Sequence, residues 1–295
     1  MVYAFILSQE LIFPVVVMCD VLSVSRSCYY VYRKFGNAPQ SFAEKEMEDQ
    51  VVKAFTLHKR RYGIRRLLPE LGGQGLKIGR CRIRRILKKH GLKAIQPRSF
   101  VPRTTDSRHP YEISPNLLKG QAPPVRTNQA WVGDITFIPL QGGKWAYLAV
   151  WMDLFSRKVT GWQLRSHMRE ELVMEAFVKS WNGRKATKGL IIHSDQGGQY
   201  AGNKFRKLLT DRFSLQSMSG AANPYDNAFM ESYFSRFKAE LLQGGAFEGL
   251  ENARKEIFEY IEMYYNPIRR HSALGYISPV AFELKMGYPQ KKEDG

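Results

Sequence analysis

Three strand-like segments in succession, followed by alternating helical and strand-like segments, restrict the fold of this chain more than any other feature of its sequence. The three segments are rich in aromatic and β-branched residues and span residues 131–139, 145–153 and 158–164. The Gly142-Gly143 pair between the first two marks a turn. The sequence therefore predicts a hairpin that a third strand extends to a meander.

Helical and strand patterns alternate in the residues that follow. They predict a helix over 169–182, a buried strand at 190–193, a helix over 203–210, a strand at 213–218 and a long helix that ends at Leu242. Asn223 and Pro224 open the long helix, because proline suits the first position of a helix. Three strands followed by alternating helices and strands predict an α/β sheet with helices on both faces.

The positive charge of the chain is concentrated in one short block. Of a formal net charge of +18, residues 51–110 carry +15, from 17 basic and 2 acidic side chains. The apolar pattern of this block predicts three short helices, and Gly91 is placed to end the third, which spans about residues 78–90. A surplus of this size indicates a polyanionic partner, either nucleic acid or an anionic membrane surface.

The third predicted helix of the block carries basic side chains and no acidic one. Three short helices with a basic third helix are typical of a helix-turn-helix module that reads duplex DNA. A basic helix that contacts only phosphates fits the same pattern, because charge does not reveal base contacts. The candidate DNA-contacting residues here are Arg65, Arg66, Arg80, Arg82, Arg84, Arg85, Lys88 and Lys89.

Membrane and secretory classes find no support in the sequence. The most apolar stretch, residues 11–18, is far shorter than the roughly 20 residues that a spanning helix needs. It also lacks the basic region and the cleavage site of a signal peptide. The three cysteines form no CxxC pair, which argues against a zinc site and is typical of a protein of the reducing cytoplasm.

Composition and pattern divide the chain into five predicted parts. Six of the 14 prolines lie between residues 97 and 126, which predicts an extended linker. The parts are an N-terminal helical segment (1–42), a basic helix-turn-helix module (43–96), the linker (97–126), an α/β core (127–245) and a C-terminal helical extension (246–295).

Three carboxylates of the predicted core stand at unusual places. Asp134 lies inside an apolar strand, Asp195 just after another strand and Glu231 on a helix. A carboxylate in a buried strand is costly unless it is paired or binds a cation. Taken singly, each has a simpler explanation: a salt bridge for Asp134, a turn for Asp195 and a surface charge for Glu231.

Taken together, the three carboxylates indicate a metal site. Asn227, Glu231 and Lys238 share one stripe of the long helix, opposite its apolar face. Cleaving or joining phosphodiesters requires two divalent ions about 3.5–4 Å apart. Carboxylates from two strands and a helix supply the hard oxygen ligands that suit Mg²⁺, and Lys238 would contact DNA phosphates.

These residues carry a resemblance to a known family. Trp131-x-x-Asp134-Ile-Thr, the segment His193 to Tyr200, and Asp226-Asn-Ala-Phe-Met-Glu231-Ser resemble the DDE catalytic core of insertion-sequence transposases related to retroviral integrases. Lys238, seven positions beyond the glutamate, fits the same pattern. Further matches lie at Tyr62-Gly-Ile-Arg-Arg66, at His90-Gly-Leu92, at Leu22 to Tyr30, and in the C-terminal segments Tyr265 to Tyr276 and Ser278-Pro279.

The resemblance implies an RNase H-like core with a mixed five-stranded sheet, preceded by small all-α helix-turn-helix modules. It implies that Asp134 bridges two Mg²⁺ ions, with Mn²⁺ as a substitute, and that Asp195 and Glu231 each complete one ion's site. It implies hydrolysis at the 3′ ends of a bacterial insertion sequence, followed by attack of the freed 3′-OH on target DNA. The expected setting is the nucleoid in the cytoplasm, with a homo-oligomer on duplex DNA.

The resemblance also implies that the chain is the second reading frame of an element whose frames are joined by a frameshift. The upstream-frame product, or a fusion with it, is therefore an expected partner. Two other functions remain open at the level of the sequence: a non-catalytic DNA-binding regulator of transposition and an RNase H-like DNA nuclease. The three carboxylates favour an enzyme over a regulator. Arg269 and Arg270 are further candidates for phosphate contacts, and Asp153 for a turn or a salt bridge with Arg157.

Overall fold

The chain folds into two compact units, residues 1–54 and 55–295. The computed structural model describes residues 2–35, 42–97, 109–184, 186, 188–220 and 228–288. No helix in these ranges is both long enough and apolar enough to cross a bilayer.

The N-terminal unit is helical. Its first three helices are α1 (Val2–Gln9), α2 (Val15–Val21) and α3 (Arg26–Phe35). They pack around Ile6, Met18, Cys19 and Tyr29, all buried. All three helices lie within the helical segment that the sequence predicts over residues 1–42. A fourth helix, α4 (Phe42–Leu57), crosses from this unit into the next.

The basic block forms two further helices, α5 (Ile64–Gly73) and α6 (Arg80–Lys89). On α6 the apolar side chains of Ile83, Ile86 and Leu87 are buried, as the periodicity predicts. Gly91 follows with φ at +62°, and the Leu92 N–H donates to the Leu87 carbonyl at 2.8 Å. This is the left-handed helix ending for which glycine is suited.

The core of the second unit is a five-stranded mixed sheet. Its strands are β1 (Ala130–Pro139), β2 (Trp145–Asp153), β3 (Val159–Arg165), β4 (Ile191–Ser194) and β5 (Leu215–Met218). Their order is β3-β2-β1-β4-β5. The first three strands form the predicted antiparallel meander, while β4 and β5 run parallel to β1. The sheet thus joins an antiparallel half and a parallel half at β1.

Helices cover both faces of the sheet, because alternate residues of each strand point to opposite sides. The helices of this region are α7 (Glu170–Arg184), α8 (Gly198–Ala201), α9 (Asn203–Thr210), α10 (Ala228–Leu242) and α11 (Leu250–Phe258). Trp131, Ala149 and Trp151 pack with α7, α8 and α9 on one face. Val132, Leu148 and Val150 pack with α10 and α11 on the other. The start predicted for the long helix at Pro224 lies outside the described residues.

Two glycines of neighbouring strands lie beside Trp151 of β2, and Gly133 makes room for its indole while Gly161 makes room for α7. Trp151 pairs with Gly133 on β1 and with Gly161 on β3, and its side chain is fully buried. A Cβ atom on Gly133 would overlap the indole ring, and one on Gly161 would lie 2.7 Å from the Ala176 carbonyl oxygen. The residue before Asp134 is therefore fixed by packing, which holds β1 close against β2.

The C-terminal extension continues α11 as a π-helical segment, Glu259–Tyr265, and ends with helix α12 (Pro279–Lys285). Between them, Arg269 is buried and forms a bidentate ion pair with Glu240 of α10, with N–O distances of 2.6 and 2.9 Å. The Tyr260 hydroxyl donates to the same carboxylate at 2.9 Å. The prediction that Arg269 contacts phosphates is wrong, because its guanidinium is buried and paired with Glu240.

Asp153 at the end of β2 has the structural role that the sequence suggested, with a different partner. Its carboxylate accepts hydrogen bonds from the backbone N–H groups of Asn128, Phe155 and Ser156 at 2.7–3.0 Å. The nearest cation is Arg184 at 3.5 Å, rather than Arg157. Arg184 in turn pairs with the fully buried Glu283 of α12.

The described second half of the linker, residues 109–126, contains no helix or strand and packs along β5. The Ser114 hydroxyl donates to the Gln216 side chain at 2.8 Å, and the Leu117 N–H donates to the Ser217 hydroxyl at 2.9 Å. These contacts carry the linker along the edge of the sheet toward the end of β4.

Candidate functional site

Two of the three predicted catalytic carboxylates lie side by side on the sheet. Val132 of β1 pairs with His193 of β4 in parallel register. Asp134 and Asp195 each follow two residues further along these neighbouring strands, so they reach the same end of the parallel half of the sheet. The Asp134 carboxylate accepts the Ile135 N–H at 2.7 Å, and the Asp195 carboxylate accepts the Gly197 N–H at 3.0 Å.

The electrostatic environment of Asp134 links all three predicted carboxylates. Burial raises the pKa of the Asp134 carboxyl well above its usual range, and the negative charge of Asp195 raises it further. Glu231 acts in the same direction, while the Ile135 N–H and the Lys238 ammonium oppose it. Asp134 therefore experiences the charges of Asp195, Glu231 and Lys238.

Glu231 and Lys238 lie on α10, as predicted. Glu231 is exposed in its first turn, and Lys238 is half-buried two turns further on. Burial lowers the pKa of the Lys238 ammonium, and the Asp134 carboxylate opposes this shift. Asn227, predicted on the same stripe, lies outside the described residues.

A cleft of about 470 Å³ opens where Asp134 and Asp195 meet. Its walls include Ile135 and Phe137 of β1, the residues from Gly197 to Tyr200 with Gly202, and Met168 to Glu170. Two linker residues, His109 and Tyr111, complete the lining. Glu231 is not part of it.

Sequence reasoning missed several side chains of this cleft, among them His109, Tyr111 and Arg169. The first two lie in a proline-rich segment without periodicity, so no pattern singles them out. Arg169 was placed only as the start of a helix, and the structure shows it exposed just before α7.

The donor chemistry of the cleft fits a divalent cation. Within the described ranges, no three His, Cys, Asp or Glu side chains form a group that could hold a metal ion. Asp134 and Asp195 nevertheless present carboxylate oxygens to one cleft, and such oxygens are the ligands that Mg²⁺ prefers. A bound cation would also offset the mutual repulsion that raises the pKa of Asp134.

Most of the basic side chains of α6 are exposed. Arg80, Arg84, Arg85, Lys88 and Lys89 are exposed, and Arg82 is half-buried. Arg65 on α5 is also exposed. The apolar side chains of α6, Ile83, Ile86 and Leu87, are buried, so its basic side chains lie on the opposite, exposed side of the helix. Their contacts with DNA remain a prediction.

Arg66 differs from the other predicted DNA-contacting residues. Its Nε donates to the Arg270 carbonyl at 2.9 Å, and burial lowers the pKa of its guanidinium. Arg270 itself pairs with Glu70 of α5 at 2.6 Å. The Tyr62 hydroxyl, fully buried, accepts the Arg270 N–H at 2.7 Å. Arg66 and Arg270 therefore join α5 to the C-terminal extension.

Three family models match the chain. The model of the integrase core domain matches residues 124–224, and a second model of the integrase core domain matches residues 215–279. The model of the HTH-like domain matches residues 41–100. Together they include β1 to β5, α10 and the basic helices.

Several known proteins are similar over most of their length. The transposase InsF for insertion sequence IS3A of Escherichia coli K12 is 37% identical over 97% of this chain and 99% of its own. The transposase for insertion sequence element IS904 of Lactococcus lactis is 38% identical over 81% of this chain and 94% of its own. An uncharacterized 31 kDa protein of insertion element IS600 from Shigella sonnei is 37% identical over 91% of this chain and 98% of its own.

Solved structures share less sequence with the chain. The simian T-cell lymphotropic virus intasome in complex with the PP2A regulatory subunit B56 gamma is 17% identical, with a TM-score of 0.46 over 83% of this chain and 78% of the other. The HTLV-2 integrase catalytic core domain in complex with magnesium, in its trimeric form, is 18% identical, with a TM-score of 0.42 over 54% of this chain and 97% of the other.

Proposed function

Since the chain belongs to the family of insertion-sequence transposases that includes the IS3 transposase, with an integrase core domain and an HTH-like domain, we propose that it cuts and joins DNA by metal-dependent phosphoryl transfer. Its fold class is the predicted one, an RNase H-like mixed sheet flanked by helices and preceded by small helical modules. The proposed reaction is cleavage at the 3′ ends of the element followed by transfer of each freed end to target DNA.

One observation carries this proposal: the half-buried Asp134 carboxyl lines the same cleft as Asp195 and experiences the charges of Asp195, Glu231 and Lys238. A strand-borne carboxylate among other carboxylates is unfavourable in isolation and is typical of a cation site. Asp134, Asp195 and Glu231 would hold the two ions, Mg²⁺ or Mn²⁺. When bound, such ions activate a water or hydroxyl nucleophile and stabilise the leaving oxygen.

The remaining residues of the site would bind and orient the DNA. Lys238, half-buried near Asp134, would neutralise a phosphate beside the scissile bond. Asn227, four positions before Glu231, would bind the same strand of the DNA. Arg169 lines the cleft and its side chain is exposed, so it would contact the phosphate backbone of the DNA.

The exposed basic side chains of α6 would bind the DNA at the ends of the element. Arg80, Arg84, Arg85, Lys88 and Lys89 lie on one short helix, and each phosphate contact adds affinity that salt screens. Two element ends must be brought together with a target, so we expect a homo-oligomer on DNA. The upstream-frame product, or a fusion with it, is a further expected partner.

A strand-transfer assay with labelled element ends and Mg²⁺ tests the proposal. We expect the wild-type chain, with its upstream frame supplied, to release and join 3′ ends, and Asp134→Asn to reduce both steps to background. Asp211→Asn is the matched control, because Asp211 is an exposed carboxylate of the same unit and pairs with Lys207.

The assay also separates the other two functions. Equal strand transfer by Asp134→Asn would exclude the catalytic assignment. Binding of element ends with no cleavage by the wild-type protein would favour the regulator, and cleavage of unrelated DNA without joining would favour the nuclease.

A further inference from the structure

The linker contributes one histidine to the catalytic cleft. His109 lines the cleft next to Asp195, and its Nε2 lies 2.7 Å from the backbone oxygen of Gln196. A carbonyl oxygen can only accept a hydrogen bond, so Nε2 carries the proton and donates it. The bonded carbonyl belongs to the residue directly after Asp195.

The turn that follows Asp195 is short and tightly packed. Besides the Gly197 N–H bond to the Asp195 carboxylate, the Gln196 side chain donates to the Ser219 carbonyl at 2.9 Å. The Gln199 side chain donates to the Met168 carbonyl at 3.1 Å. A Cβ atom on Gly197 would lie 3.1 Å from the Asp195 carboxylate oxygen, so the turn leaves little room to shift.

His109 belongs to the linker, outside the predicted α/β core, and binds this turn through the Gln196 carbonyl. Its ring lies over the turn, since a Cβ atom on Gly198 would be 3.5 Å from the ring Cδ2 atom. Its Nδ1 makes no hydrogen bond within the part of the chain that the structure describes. The single hydrogen bond of this imidazole is thus directed at the Gln196 peptide.

The linker does not depend on His109 for its own position. Ser114 and Leu117 bind the side chains of Gln216 and Ser217 on β5. Arg206 of α9 pairs with Glu112 at 3.4 Å. Loss of the imidazole would therefore leave the linker on the sheet and free one side of the Asp195 turn.

We propose that His109 is a positioning residue of the catalytic cleft: it holds the Gln196 peptide and so orients the Asp195 carboxylate toward the cation. This inference rests on the proposed function. Groups that orient a ligand through a hydrogen bond typically change metal affinity by about 10–100-fold when they are removed.

Mn²⁺ binding to the full-length chain, followed by electron paramagnetic resonance, tests this inference without requiring activity. We expect His109→Ala to weaken Mn²⁺ binding roughly tenfold. We expect His109→Gln to restore most of the affinity, because the Gln Nε2 can donate to the same carbonyl. Glu112→Ala is the control that weakens a linker contact without touching the Asp195 turn, and it should bind Mn²⁺ as the wild type does.

Hydrogen exchange and DNA affinity distinguish positioning from a merely structural role. If His109→Ala loosened residues 110–118 and weakened duplex binding while Mn²⁺ affinity stayed at the wild-type value, the inference would be wrong. It would also be wrong if Gln and Ala behaved alike. Strand transfer by the same preparations keeps the two proposals apart, since an active wild type and an inactive Asp134→Asn would uphold the function even where His109 proved unimportant.

Discussion

At the scale of single residues, hydrogen-bond partners and charge distinguish a candidate metal ligand from a structural carboxylate. Asp134 and Asp153 are both acidic residues of the antiparallel strands, yet Asp153 accepts backbone N–H bonds and lies near Arg184, whereas Asp134 faces two other carboxylates. The sequence alone distinguished them through strand position and context. It could not reveal His109, because a histidine in an unpatterned linker carries no signal of its contact with Gln196.

The raised pKa of Asp134 gives a pH-dependent prediction for the metal-free protein. The pKa of Asp134 is higher in the folded state than the usual value of 3.8. The protonated carboxyl therefore contributes free energy of unfolding below pH 3.8, and this contribution is lost as the pH rises through the folded-state pKa. Asp134→Asn removes the titrating charge. We expect it to raise the thermal midpoint by a few degrees near pH 7 in the presence of a chelator.

Thermal unfolding between about pH 5 and pH 8, with EDTA or with Mg²⁺, provides the measurement. Mg²⁺ should stabilise the wild type, because a ligand of the folded state shifts the unfolding equilibrium, and should have little effect on Asp134→Asn. A variant less stable than the wild type at pH 7 without metal would contradict the prediction.

At the scale of elements, periodicity predicted most of what the structure contains. The meander β1 to β3 and the apolar face of α6 follow from alternation and from helical spacing. Helix α8 was missed because four residues are too few for a periodic pattern. The wrong interpretation of Arg269 has another cause: its partner Glu240 lies 29 positions earlier, and no local pattern reports such a pair.

The exposed basic face of α6 leads to a prediction about salt. Arg84→Ala with Arg85→Ala should weaken binding to duplex DNA and reduce the slope of log affinity against log salt by roughly one unit for each lost phosphate contact. Lys204→Ala with Lys207→Ala is a matched control, since both lysines are exposed on α9. Fluorescence anisotropy across a salt series provides the slopes, and equal slopes for all proteins would show that α6 faces away from DNA.

At the scale of the whole second unit, a few buried polar contacts join the first and last parts of the chain. Tyr62 accepts the Arg270 N–H and donates to the Ile268 carbonyl at 3.3 Å, while Glu70 pairs with Arg270. The neighbouring Arg269 is paired with Glu240 on α10, the helix that also carries Glu231. The basic helices and one candidate metal ligand are thus tied to the same short segment.

Removing one hydroxyl tests this connection. Tyr62→Phe leaves the partly buried Arg270 N–H without its acceptor, which should cost about 1–3 kcal/mol of local stability. We expect faster hydrogen exchange in residues 64–73 and 266–270, with α9 unchanged. Tyr30→Phe, at an exposed tyrosine, is the control. Unchanged exchange in α5 would mean that the contact contributes nothing to the attachment.

The pairing of Glu70 with Arg270 joins positions 200 residues apart. An HTH-like module exchanged between related elements would bring its own α5 but meet the resident residues 266–270. A chimera that replaces only residues 43–96 therefore combines a foreign residue 70 with the resident Arg270. A chimera that also replaces residues 264–276 keeps both partners of this contact from the same protein. The fit of such a module to its core would thereby depend on residues 264–276 as well as on residues 43–96.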